Sequence, residues 1–165
     1  MIELKSDVQF TEEALSLNDI VTQLGEKMGD EISANKLTLN LDLDEDLLSV
    51  YGDRQYLEKA LWQILDNAIC FSDEDGAITI RTYPEDEHAI VEIEDEGVGI
   101  EGRLFSYIFT DFWQADDASA VGGLGIGLPI AKKIIDHHKG LIEVESQLEK
   151  GSIFRVIVPV NEQWS

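Results

Sequence analysis

Leu57-Glu58-Lys59-Ala60-Leu61-Trp62-Gln63-Ile64-Leu65-Asp66-Asn67-Ala68-Ile69-Cys70-Phe71 is the stretch on which the reading of this chain turns. Leu57, Ala60, Leu61, Ile64, Leu65 and Ala68 recur at steps of three and four residues, which places them on one stripe of a helix. Beside that stripe Gln63, Asn67 and Cys70, spaced by four and three residues, form a second line. An amide on that line can offer its oxygen to a hard cation such as magnesium, which takes oxygen ligands and keeps several waters. Taken alone, an asparagine beside a core stripe is more often a packing residue.

On the N-terminal side, Leu17, Ile20, Val21, Leu24 and Met28 predict a helix running to about Gly29, with Ser16 and Asp19 placed as its start. Residues 36–42 alternate Leu37, Leu39 and Leu41 with polar residues, the pattern of a half-buried strand. Ile2, Leu4, Val8 and Phe10 suggest an edge strand or an ordered connection over residues 1–10, and residues 1–15 as a whole are expected to connect from something upstream. On the C-terminal side, residues 77–83 and 88–95 read as two strands of a hairpin turning at 84–87, with Pro84 where no ladder bond is needed. A glycine-rich segment, 97–123, carries a short helical pattern at 101–108 and is the kind of long loop that is usually functional or disordered. A third helix starts near Leu128, with Pro129 in its first turn, and strands 141–146 and 152–160 close the chain around a turn at Lys150 and Gly151. The order places helices on one face of a largely antiparallel sheet, an α+β fold, and the length fits a single domain over residues 1–165.

Charge narrows the function. Twelve basic against 34 acidic side chains leave a net charge of −22, which opposes nucleic acid and anionic membrane surfaces. A polyanion must then be held by a local device such as backbone amides, a helix N-terminus or a divalent cation. Cys70 is the only cysteine, so there is no intramolecular disulfide and no multi-cysteine zinc site. No apolar run approaches the roughly 18 residues of a membrane span, so a reducing, cytoplasmic setting is expected even for a membrane-anchored parent.

Two further motifs carry chemistry. Asp95-Glu96-Gly97-Val98-Gly99-Ile100 directly follows a strand. A carboxylate at a strand end can accept the exocyclic amine of adenine, while the glycines let a base approach the backbone. Read blandly, the same residues are an acidic glycine turn. Gly122-Gly123-Leu124-Gly125-Ile126-Gly127-Leu128 opens into the third helix, so its unobstructed N–H groups and the helix dipole can make an anion site without a lysine. It lacks the Gly-Lys-Ser/Thr ending of a P-loop and a parallel strand-turn-helix setting.

In this order the segments resemble the ATP-binding domain shared by sensor histidine kinases, gyrase-type topoisomerases and related ATPases, the Bergerat fold. Residues 61–71 resemble its asparagine box, 95–100 its first glycine box and 123–127 its second. Ile108-Phe109-Thr110-Asp111-Phe112 resembles the phenylalanine box of the histidine-kinase branch, which Lys150-Gly151-Ser152-Ile153-Phe154 and Pro159 also fit. The resemblance implies a two-layer α/β sandwich, its mixed, mostly antiparallel sheet covered on one face by three helices. ATP would lie between the asparagine-box helix and a lid at 102–122.

By that resemblance Asp95 binds adenine, Phe71 flanks the base, Asn67 coordinates magnesium with Gln63 as a further ligand, and Ser152 supplies a hydroxyl near adenine. Gly97, Gly99 and Ile100 line the base, and Gly123, Leu124, Gly125, Ile126, Gly127 and Leu128 form the phosphate end. The implied activity is transfer of the γ-phosphoryl of ATP to a histidine on a separate, upstream dimerisation domain. Gln63 would orient that encounter. A response regulator is the implied partner of a homodimeric parent, from which this chain would be a monomeric fragment.

The chain departs from the family where the terminal phosphate is handled. Cys70 stands where a Lys or Arg is common, Ala118-Ser119-Ala120-Val121 where the lid often carries a base, and Gln63 where an asparagine or acid is usual. Charge-assisted contacts are about twice as strong as neutral ones, so binding is expected to outlast transfer. That leaves a second reading, a catalytically weak, nucleotide-gated interaction module. A stand-alone ATPase fits less well, because Gln63 has no carboxylate to activate water. Cys70 otherwise reads as a small, semi-buried packing residue, and His137 and His138 as groups meeting terminal carbonyls and solvent. Lys132 and Lys133 are secondary candidates for the phosphate site.

Overall fold

The computed structural model describes residues 11–99 and 127–160. The readings made on residues 1–10 and 100–126, including the lid, the phenylalanine box, Ile100, Gly123, Leu124, Gly125 and Ile126, lie outside the described residues. The elements are β1 (Glu13–Leu15), α1 (Leu17–Lys27), α2 (Gly29–Ala34), β2 (Thr38–Leu43), β3 (Val50–Gly52), α3 (Arg54–Phe71), β4 (Ala77–Glu85), β5 (His88–Asp95), α4 (Gly127–His137), β6 (Leu141–Gln147) and β7 (Gly151–Pro159).

Five strands form the main sheet in the order β2-β4-β5-β7-β6. β2 runs parallel to β4 because α3 crosses between them, and the other pairings are antiparallel. One face of the sheet carries Ile78 and Ile80 of β4, Ala89, Val91 and Ile93 of β5, and Phe154, Val156 and Val158 of β7. These pack with Leu57, Leu61, Ile64 and Leu65 of α3 and Ile134 and Ile135 of α4 into one core. The opposite face bears an ionic lattice. Glu92 meets Arg81 at 3.1 Å, Arg155 at 2.8 Å and the Tyr83 hydroxyl at 2.9 Å. The α+β sandwich with a mixed, mostly antiparallel sheet is therefore as expected.

Three details differ. The first helix ends at Lys27, and Met28 breaks it with φ −99° and ψ 7°. The chain then makes the short helix α2, which buries Ile32 beside Met28. The described residues thus hold four helices, not three, because apolar spacing alone does not register a change of axis. Glu13–Leu15 is a strand and not a plain connection, pairing antiparallel with β3. The hairpin is also tighter than expected. Pro84 lies within β4, beyond the last β2 pair of Leu43 with Thr82, in the stretch where β4 is an edge and a missing N–H is tolerated.

The start of α3 is held from both sides. Asp53 caps it, Oδ1 accepting the N–H of Gln55 at 3.0 Å and of Tyr56 at 3.2 Å, while Oδ2 accepts the N–H of Thr11 at 2.7 Å. The N–H of Asp53 donates to His138 Nε2 at 3.0 Å, and His138 Nδ1–H donates to the Ile134 carbonyl at 2.7 Å. His138 therefore meets a terminal carbonyl as expected but is buried and neutral, not solvated, locking the end of α4 to the start of α3. Gly52 leaves room for its ring.

Two stability tests follow from these contacts. The two-residue turn places Asp86 at φ 49° and Glu87 at φ 65°, a left-handed pair that favours Asn-Gly. Glu87→Gly should raise unfolding stability by about 0.5–1 kcal/mol in urea titration, since a side chain there costs backbone energy. Burial, with His137 adding, lowers the His138 pKa below its ordinary 6.5. Its stabilising contribution is thus complete above that value and lost as pH falls through the depressed folded value. His138→Gln should flatten the acid limb of the melting-temperature profile below about pH 6.5.

Candidate nucleotide-binding site

α3 ends against the loop that leaves β5, and backbone contacts fix the junction. The N–H of Val98 donates to the Phe71 carbonyl at 3.3 Å, the N–H of Asp73 to the Glu96 carbonyl at 3.3 Å, and Ser72 bridges Gly97. The approach is so close that a Cβ on Gly97 would collide with the Phe71 carbonyl and crowd Asp95 Oδ1. Gly99 adopts φ +75°, and a Cβ there would strike the Gln147 carbonyl. Both glycines are thus required by packing as well as by any ligand.

Asp95 sits on the helix-facing side of β5, in register with Ser152 of β7. It is only 3% exposed, and its Oδ1 is buried with no hydrogen-bond partner. Burial pushes its pKa up from 3.8 to about 7, although the backbone amides of Ser152 and Gly97 act in the opposite sense. A carboxylate kept partly protonated by desolvation, with one oxygen unsatisfied, is an acceptor waiting for a donor. Ser152 is also buried, and its hydroxyl lies 2.7 Å from that of Ser146. Ser146 in turn donates to the Gly151 carbonyl at 3.0 Å. Both contacts are satisfied together when Ser152 donates to Ser146, which leaves Ser152 Oγ as an acceptor.

Asn67 and Gln63 precede Phe71 on α3 by one and two turns. Asn67 is buried at 8% exposure, and Gln63 is half-buried. Their amide oxygens are hard donors of the kind magnesium accepts alongside water and phosphate, so the set fits that ion. Cys70 is exposed, not semi-buried. Its pKa is raised by partial desolvation and by the charges of Asp66 and Glu31, so it remains a thiol and its surroundings repel an anion. α4 begins at Gly127, next to the second glycine segment, and the Leu128 side chain is wholly in the core. Leu128 can therefore offer a phosphate only its backbone N–H. Lys132 is engaged with Asp136 at 2.9 Å.

The structure thus brings Phe71, Asp95, Gly97, Gly99 and Ser152 to one place, with Asn67 and Gln63 leading away along α3. Ser146 and the acidic pair around Cys70 escape a sequence reading. The alternation of 141–147 could have put Ser146 on an inward row, but only the strand register sets it against Ser152.

Residues 52–162 match the family model of histidine kinase-, DNA gyrase B- and HSP90-like ATPases. The chain belongs to that ATPase family. Sensor histidine kinase RppB of Synechocystis sp. is 32% identical over 146 residues, covering 87% of this chain and 32% of its own length. The adaptive-response sensory kinase SasA of Gloeothece citriformis is 30% identical over 158 residues, 95% of this chain and 40% of its own. The chain therefore spans well under half the length of these relatives. Among solved structures, the catalytic domain of histidine kinase ThkA superposes with TM-score 0.80 at 26% identity, covering 96% of this chain and 100% of that one. ThkA in complex with the response regulator TrrA gives TM-score 0.75 at 26% identity, over 94% of this chain and 43% of that one. Within the family, this is a catalytic ATP-binding domain of the sensor histidine kinase type. No helix among the described residues is long and apolar enough to cross a membrane.

The buried acid predicts a trade between stability and binding. Because its folded pKa lies above the unfolded one, Asp95 stabilises the domain only at low pH, and that contribution disappears as pH rises through about 7. Asp95→Asn should therefore raise the melting temperature of the nucleotide-free domain progressively between about pH 4 and 7, while weakening adenine-nucleotide binding. Differential scanning fluorimetry with and without nucleotide reads both effects.

Proposed function

We propose that the domain binds ATP with magnesium and donates its γ-phosphoryl to a histidine on a separate dimerisation domain of a longer sensor kinase. The observation that carries the reading is the buried, unsatisfied Asp95 Oδ1 at the end of β5, beside the closing turn of α3. It is an acceptor for the exocyclic amine of adenine. Phe71 flanks the base, Ser152 offers an acceptor beside it, and Gly97 and Gly99 form its wall, to which the family resemblance adds Ile100. Asn67, with Gln63, holds magnesium, which when bound offsets phosphate charge. By the family resemblance Gly123, Leu124, Gly125 and Ile126 are assigned to the phosphates, together with the backbone N–H groups of Gly127 and Leu128 at the start of α4.

In the transfer, an imidazole nitrogen of the acceptor forms a bond to the γ-phosphorus as the bond to the β,γ-bridging oxygen breaks, and ADP leaves. The imidazole is itself the nucleophile, so this chain supplies position and field, and Gln63 orients the encounter without acting as a base. The ThkA–TrrA complex supports a response regulator as the partner that next accepts the phosphoryl group, and the family resemblance points to a homodimeric parent. A net charge of −22 on the chain argues against nucleic acid or a direct membrane contact.

The acidic surroundings of Cys70 favour a second reading, in which nucleotide binding gates a partner and transfer is slow. Calorimetry should show magnesium-dependent binding of ATP and ADP and much weaker binding of GTP; absence of any nucleotide binding refutes the first reading. Rejoining the upstream part of the parent chain and following labelled phosphate onto its histidine separates the two. Rapid transfer supports the kinase, and binding without transfer supports the gated module.

A further inference from the structure

We infer that Lys59 provides the cationic contact to the terminal phosphate of ATP that position 70 lacks, an inference that rests on the nucleotide reading above. Asp95 and Phe71 set the base at the C-terminal end of α3. From there Asn67, Gln63 and Lys59 follow at successive steps of four residues, each about 6 Å further along the helix and rotated by some 40°. A nucleotide laid along this line with its base at Asp95 directs its third phosphate towards Gln63 and Lys59.

Gln63 and Lys59 share a groove of about 320 Å³ with Gln55, Glu58 and Trp62. Glu58 is already paired with Lys27, which offsets the only acidic charge among the described residues lining that groove. The half-buried Lys59 enters no hydrogen bond or ion pair among the described residues, so its charge is available.

Other described basic groups are engaged or misplaced, Lys133 and Lys139 each having an interaction of their own. Lys132 is held by Asp136 and Lys36 by Glu74, while Arg54 donates to Gln23. Arg81 and Arg155 serve Glu92 on the far face of the sheet. Lys150 lies in a groove with Glu94 and Glu145. A lysine on a flexible four-carbon stem suits a point contact to a phosphate, and such a charge-assisted bond is about twice as strong as a neutral one. ADP has no third phosphate, so the contact distinguishes ATP from ADP.

The test measures magnesium-dependent dissociation constants for ATP and ADP on the 165-residue chain by calorimetry. Lys59→Gln should weaken ATP about five- to tenfold and leave ADP within about twofold, with an unchanged melting temperature; Lys59→Arg should restore most of the ATP affinity. Raising the salt should narrow the difference between wild type and Lys59→Gln. An unchanged ATP-to-ADP ratio in Lys59→Gln, or equal weakening of both nucleotides, overturns the role of Lys59 while leaving the nucleotide site intact. A wild-type chain that binds neither nucleotide overturns the site itself and this inference with it.

Discussion

The short backbone seam between the end of α3 and the exit of β5 is the constraint on which the site depends. Phe71 and Val98, Asp73 and Glu96, and Ser72 and Gly97 are joined there, and the two chains approach so closely that only glycine fits at position 97. That seam keeps the Asp95 carboxyl out of water and sets it beside the helix that carries Asn67. Were the seam looser, water would reach Asp95, its pKa would fall, and the unsatisfied acceptor would be lost. The same closeness makes the carboxyl costly to the empty domain above neutral pH, a case of local instability kept where a ligand binds.

α3 is itself aligned from its other end. Asp53 caps it, and the His138 ring joins that cap to the end of α4 through two hydrogen bonds. The helix carrying Gln63 and Asn67 is therefore positioned relative to both the sheet and α4, whose first turn adjoins the second glycine segment. Geometry of this kind favours positioning over proton chemistry, which suits a phosphoryl transfer in which the acceptor brings its own nucleophile. The electrostatics are divided along the helix. The adenine end is acidic and desolvated, the turn at Cys70 repels anions through Asp66 and Glu31, and a positive side chain appears two turns before Asn67, at Lys59.

Much of the fold was legible because its elements are strongly periodic. The α3 stripe, the β4–β5 hairpin, the last hairpin and the α4 start all follow from spacing and turn residues, and Asp95 with Gly97 and Gly99 marked the candidate site. What escaped had no local signal. The break at Met28 leaves the apolar period almost undisturbed, since Met28 and Ile32 continue it while the axis changes. The β1–β3 pair is only three residues long on each side and is made by partners far apart in sequence. His138 read as a solvated helix end because its partner, the N–H of Asp53, lies 85 residues away.

Residue types, their periods and their order along the chain determined the α+β class, the acidic surface and the identity of the groups that can face a nucleotide, because these properties are local. Tertiary structure alone decided that Asp95 is buried with an unpaired oxygen, that the Ser146 and Ser152 hydroxyls are hydrogen-bonded to each other, and that Cys70 is exposed among carboxylates. Each of these depends on which segments meet across the sheet and helix layers. Solvation and charge are set by those neighbours in space, which spacing along one segment does not specify.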